Sequence, residues 1–220
     1  MEYSRDRDRF QRCPHCLLKH SGDGKTGVWL LPCMVYNFMS GPRWVIYAHC
    51  NGRDNTVRPI GGSRNPGDKC ILLAAFRKLV EEFLQYLAPY NSIPYAEWQR
   101  ILSGQDNVRR LALMTQFFAP RGSARCLFKG GTAVFCVHIP PGTSRAQINQ
   151  AIQAYRNDGR QNDPAWCETR EVHTLLANNI YHAPVSPQAG SAPHGLPLQT
   201  DRNGNVFAQL IDHARRFQWI

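Results

Sequence analysis

Two clusters in this sequence have residue types and spacing that chemistry can use. The first lies at the end of a helix-like run, Cys70 to Phe83. It pairs the carboxylates of Glu81 and Glu82, with Arg77 four residues before Glu81 and Asp68 just ahead of the run. Attack on a diphosphate linkage needs cations that offset phosphate charge and orient a water. Hard cations such as Mg2+ or Mn2+ take oxygen ligands, commonly one or two carboxylates plus the substrate's phosphates. Glu81, Glu82 and Asp68 are candidate metal ligands, and Arg77 is spaced to orient Glu81 through an ion pair. The competing account is that Arg77-Lys78 and Glu81-Glu82 form the solvated face of an amphipathic helix.

The second cluster is Cys13-Pro14-His15-Cys16 with His20. Two thiols two residues apart and a histidine four further on supply three zinc ligands. The fourth must come from afar, with Cys33, His49 and Cys50 as candidates. A single thiol pair is a weak signal, and ordinary cysteines near a terminus are the plainer account. The loop Ser21 to Gly27 contains Gly-Lys-Thr but lacks the upstream glycine and strand of a phosphate-binding loop. It reads as a connector.

Several elements must position these groups. Val28–Met39 is a strand-like apolar run, and Trp44–His49 is its hairpin partner, closed by Asn51-Gly52. Gly61-Gly62 and Asn65-Pro66-Gly67-Asp68 are turns, with Asp68 placed to cap the next helix. Apolar residues at 72, 75, 76, 79, 80 and 83 recur at helical spacing. Further on, Tyr95–Leu102 reads as a helix started by Pro94, and Leu111–Phe118, Ala124–Phe128 and Thr132–Ile139 as strands. Thr143 or Ser144 caps a helix from Arg145 to Arg156, and Phe207–Ile220 is an amphipathic terminal helix. Residues 1–12 read as a solvated terminus, and the proline-rich 184–197 as a surface loop.

The loop-helix over residues 59–83 resembles the Nudix box, the signature of the Nudix hydrolases. Gly62, five residues and Asp68 match its first part, with Asp in place of Glu. Arg77, Leu79, Glu81 and Glu82 match the second part if one extra residue is allowed after Asp68. Lys78 stands where the pattern has its first helix glutamate, and Leu84 where it closes on glycine. The resemblance implies an α/β fold, a Nudix-like α/β/α sandwich with a mixed sheet over 28–220, behind a short extension at 1–27. It implies a divalent-metal pyrophosphohydrolase with Glu81, Glu82 and Arg77 as catalytic residues and Gly61, Gly62 and Arg64 at the ligand. Trp166–Leu175 resembles the family's late strand and short helix, which makes Glu168 a candidate base. The competing account of Glu168 is an exposed loop residue. The turns Gly61-Gly62 and Asn65-Pro66-Gly67, and Phe217-Gln218-Trp219 at the end, are also similar to Nudix-fold RNA-binding proteins that have lost box glutamates.

Composition bears mainly on partners. Of 220 residues, 43% are hydrophobic, enough for a sizeable core, and the net charge is +10. So basic a chain is expected to meet an anionic partner, nucleotide or RNA. Without a membrane span or signal peptide, an intracellular site, cytoplasmic or nuclear, is expected, with its eight cysteines as thiols or metal ligands. Two functions follow. One is a divergent hydrolase of a nucleoside-diphosphate-linked substrate such as capped RNA. The other is an inactive relative that binds RNA or a protein, meeting phosphates through Arg53, Arg58, Arg64 and Arg121, or serves structurally, for instance in a viral particle.

Overall fold

The computed structural model describes residues 2–3, 12–39, 41–118, 126–140, 143–155, 159–176, 200–201 and 204–216. In chain order the strands are β1 (Glu2–Tyr3), β2 (Gly27–Phe38), β3 (Gly41–Asn51), β4 (Val57–Arg58), β5 (Ile60–Ser63), β6 (Cys126–Lys129), β7 (Thr132–His138), β8 (Thr169–Leu176), β9 (Thr200–Asp201) and β10 (Gly204–Asn205). The helices are α1 (Ile71–Glu82), α2 (Tyr95–Ser103), α3 (Asn107–Phe118), α4 (Arg145–Tyr155) and α5 (Val206–Arg216). The chain is a mixed α/β protein. It divides into two compact units, Met1–Leu30 with Gly61–His138, and Leu31–Ile60 with Ile139–Ile220. The described residues 12–27, read above as part of an extension, fall in the same unit as the loop-helix.

In the first unit β6 pairs antiparallel with β1 and with β7, and β7 and β5 flank β2. The α1 helix follows β5 and the turn at Asn65–Asp68, closed by Asp68 N–H to Asn65 O at 2.9 Å. Every residue of its expected apolar stripe is buried: Leu72, Ala75, Phe76, Leu79, Val80 and Phe83. Burial of such a stripe, at about 25 cal/mol per Å² of apolar surface, drives the helix into the core. Asp68 is not its cap. The N-cap is Cys70, which makes no side-chain cap hydrogen bond. Asp23, from the glycine-rich connector, accepts the Ile71 N–H instead at 2.8 Å.

The segment 111–118, expected as a strand, is the last two-thirds of α3. Asp106 accepts the Arg109 N–H at 3.0 Å, a helix cap three residues on. The buried residues Leu113, Met114, Phe117 and Phe118 then recur with helical period. The run holds one β-branched residue, Thr115, among good helix formers. Phe118 packs edge-to-face on Phe135 of β7, with centroids 5.7 Å apart.

In the second unit β2 and β3 form the expected hairpin, with Cys33 opposite Ile46 and Val35 opposite Trp44. β8 lies antiparallel along β3, Ala48 opposite His173. The short helix expected within 166–175 is absent; from Thr169 the chain is strand, its β-branched Thr169, Val172 and Thr174 suiting a pleated surface. Asn149 of α4 joins this strand by two hydrogen bonds to Val172. In α5, Val206, Phe207, Leu210, Ile211 and Ala214 are buried, as its periodicity predicts. Arg121, the loop 184–197 and Phe217-Gln218-Trp219 lie outside the described residues.

Candidate functional site

Asp68, Arg77, Lys78, Glu81 and Glu82 meet in the first unit because helical spacing places 77, 78, 81 and 82 on neighbouring faces of α1. The Arg77 guanidinium bridges two carboxylates. Its Nη2 lies 2.7 Å from Asp68 Oδ2 and its Nη1 3.0 Å from Glu81 Oε2. The Lys78 ammonium lies 2.8 Å from Glu82 Oε1 and 3.5 Å from Glu81 Oε2. Glu82 is fully buried, and its Oε2 accepts the Gly61 N–H at 2.8 Å.

Gly61 and Gly62, expected as a turn, lie in strand β5 and are shaped around this arrangement. Gly61 has φ +148, and a Cβ there would stand 2.1 Å from Val28 O, so a side chain has no room. A Cβ on Gly62 would meet Lys78 Cε at 3.0 Å. The first glycine brings a backbone donor to Glu82, and the second lets the lysine stem pass. Arg64, read above as a ligand contact, donates to the backbone oxygens of Asp68 and Asp23.

Burial is the first influence on Glu81, and it pushes the carboxyl above its ordinary value; Arg77 and Lys78 act in the opposite sense. Desolvation pulls the Arg77 guanidinium down, and Asp68 and Glu81 together outweigh it and hold it above its usual range.

These residues do not fit a divalent cation. Both oxygens of Asp68 and of Glu82, and Glu81 Oε2, accept from protein donors. Lys78 already brings positive charge to the two helix glutamates, where it would repel Mg2+ or Mn2+. Glu168 belongs to the second unit, where its Oε1 accepts from Asn51 Nδ2 at 3.1 Å.

The cysteine cluster resolves differently from its expected form. Cys13, Cys16 and His20 are joined by Cys70, the residue that opens α1, and their ligand atoms all lie within 4.8 Å of one another. Cys33, His49 and Cys50, the candidates for the fourth position, belong to the second unit, where His49 Nδ1 faces Thr169 Oγ1 at 3.1 Å. Fifty-odd residues separate Cys70 from the knuckle in sequence, and no local pattern marks a ligand so remote. A second trio, Cys50, Glu171 and His173, gathers on β3 and β8.

Beside the α1 charges and the Cys13–Cys16 knuckle, in the first unit, lies a cleft of about 390 Å³. The box loop gives it Lys69 and α1 gives it Phe76 and Arg77. Asn107 and Arg110 come from α3 and His15 from the knuckle. Its charged lining is Lys69, Arg77 and Arg110 with the carboxylate of Asp68, which is paired with Arg77.

The class defined by fold and site is a mixed α/β protein with a Nudix-like loop-helix. Among solved structures the chain is similar to a crystal structure of a mutT/nudix family protein from Listeria innocua. The identity is 12%, over 87% of this chain and 92% of that one, with a TM-score of 0.40. No family model matches the chain, and no curated protein does. No helix among the described residues is long and apolar enough to cross a membrane.

Proposed function

We propose that this chain is a Nudix-like protein that binds single-stranded RNA without hydrolysing it. The observation that carries this reading is Lys78, whose ammonium pairs with Glu82 and Glu81 in place of a divalent cation. With the carboxylates neutralised from within, the box is a structural element that stiffens the turn and the α1 helix. The net charge of +10 and the Lys69, Arg77 and Arg110 side chains of the cleft support an anionic polymer as partner. Phosphates would meet these cations, while sequence-tolerant contacts would come from exposed faces around them.

The test is fluorescence anisotropy with labelled single-stranded RNA over a range of salt, beside a turnover assay on capped RNA and nucleoside diphosphate derivatives with Mg2+ or Mn2+. The expected result is an affinity that falls with salt, a salt slope smaller by about one for Lys69→Ala or Arg110→Ala, and no turnover. Turnover abolished by Glu81→Gln with Glu82→Gln would instead establish the hydrolase. Absence of both binding and turnover would leave a structural role.

A further inference from the structure

Cys13 and Cys16 are brought together by a tight turn. Leu17 N donates to Cys13 O at 2.9 Å and Cys13 N to Leu18 O at 3.0 Å, and Arg12 bridges to Lys19 beyond them. Leu17 pays for this turn with φ +64, a left-handed conformation that disfavours a branched side chain, and the side chain stays 44% exposed. Strain of this kind persists where surrounding structure over-determines it. The thiols face inward, to His20 and Cys70, and all four residues are buried.

The histidine supplies an independent sign. His20 Nε2 is buried without a hydrogen-bond partner, while Nδ1 faces the Ser21 carbonyl at 3.5 Å. A ring with one nitrogen turned to a backbone carbonyl and the other left open is the arrangement of a metal-ligating histidine. A buried nitrogen left unmet is costly, and coordination would remove that cost. Cys70 adds a fourth donor, a buried thiol held at the N-cap of α1.

We propose that Cys13, Cys16, His20 and Cys70 form a tetrahedral zinc site that fastens the N-terminal knuckle to the start of α1. Three sulfurs and one nitrogen are a closed structural donor set. With Zn–S near about 2.3 Å and Zn–N near about 2.0 Å, the four atoms, already within 4.8 Å of one another, need small movements to coordinate. The site also builds the cleft. Pro14 and His15 lie between the first two ligands and Lys69 precedes the last, and all three line its wall. Zinc therefore holds the knuckle wall and the box helix in one frame. This holds whether or not the cleft binds RNA.

The full chain, purified under reducing conditions without chelator or nickel resin, is assayed for metals by plasma mass spectrometry and then titrated with Co2+ after metal removal. One zinc per chain is expected, with a tetrahedral cobalt spectrum carrying thiolate charge-transfer bands. Cys70→Ser should lose most of the bound metal, and Cys167→Ser, at an exposed cysteine of the other unit, should keep it. His20→Cys should retain one metal with stronger thiolate bands, which separates lost ligation from lost folding. A reduced chain that carries no metal and gives no tetrahedral cobalt spectrum would overturn the site, as would an unchanged spectrum in Cys70→Ser.

Discussion

The Lys78 ammonium stands 2.8 Å from one oxygen of Glu82, and the Gly61 N–H donates to the other at the same distance. A fully buried carboxylate is thus matched by one cation and one backbone donor, leaving neither of its oxygens unmet. With a lysine at the position where the resembled pattern has a glutamate, the site carries its own positive charge.

Removing Lys78 should therefore expose the dependence of Glu82 on it. Lys78→Ala strands a buried carboxylate, and a loss of about 3–5 kcal/mol in unfolding free energy is expected from urea denaturation near neutral pH. Lys78→Glu should be as destabilised in chelator but gain thermal stability with Mn2+. The unaltered chain should show no such gain; a matching rise there would mean that Lys78 does not displace the metal.

Glu81 carries a pH signature. Its folded carboxyl is raised above the ordinary value, chiefly by burial, so the folded state holds the proton more tightly than the unfolded one. That contribution favours folding fully below the ordinary carboxylate range and is lost as pH rises through the raised value. Glu81→Gln should flatten this part of the stability profile, measured by denaturant midpoints from acid to neutral pH. An unaltered slope would show that Glu81 is not its source.

Gly61→Ala should fail sterically. The added Cβ would stand 2.1 Å from Val28 O at φ +148, so strand β5 must shift and the Glu82 contact with it. A loss beyond about 1–3 kcal/mol, the usual scale of backbone strain, is expected in thermal unfolding. Gly67→Ala, where a Cβ meets nothing within 4 Å, should be nearly neutral.

Asp23→Ala removes the acceptor for Ile71 N–H at the start of α1. A cost of about 1 kcal/mol is expected, in line with other lost helix caps, and Asp23→Asn should recover most of it. Equal losses in both variants would point to charge, not the hydrogen bond.

Much of this protein could be read from local pattern. The α1 stripe at 72, 75, 76, 79, 80 and 83, the β2–β3 hairpin and the amphipathic α5 follow from periodicity, because burying one face of an element is a demand that its own sequence must meet. The meeting of Arg77 with Glu81 follows too, since helical spacing brings them together wherever the helix lies. Leu111–Phe118 misled because an apolar run of that length suits either period, and the Asp106 cap that decides it lies upstream of the run.

What the chain alone determined, then, is the set of elements and the ordering of charges along one helix. Tertiary structure decided which charges close on which. Lys78 could have pointed to water; the bare backbone of Gly62 and the buried oxygens of Glu82 draw it inward. Cys70 could have been one more core thiol; the return of residues 12–20 to the start of α1 makes it the fourth member of a metal-binding set. Both outcomes rest on contacts between segments far apart in sequence, and local periodicity holds no record of such contacts.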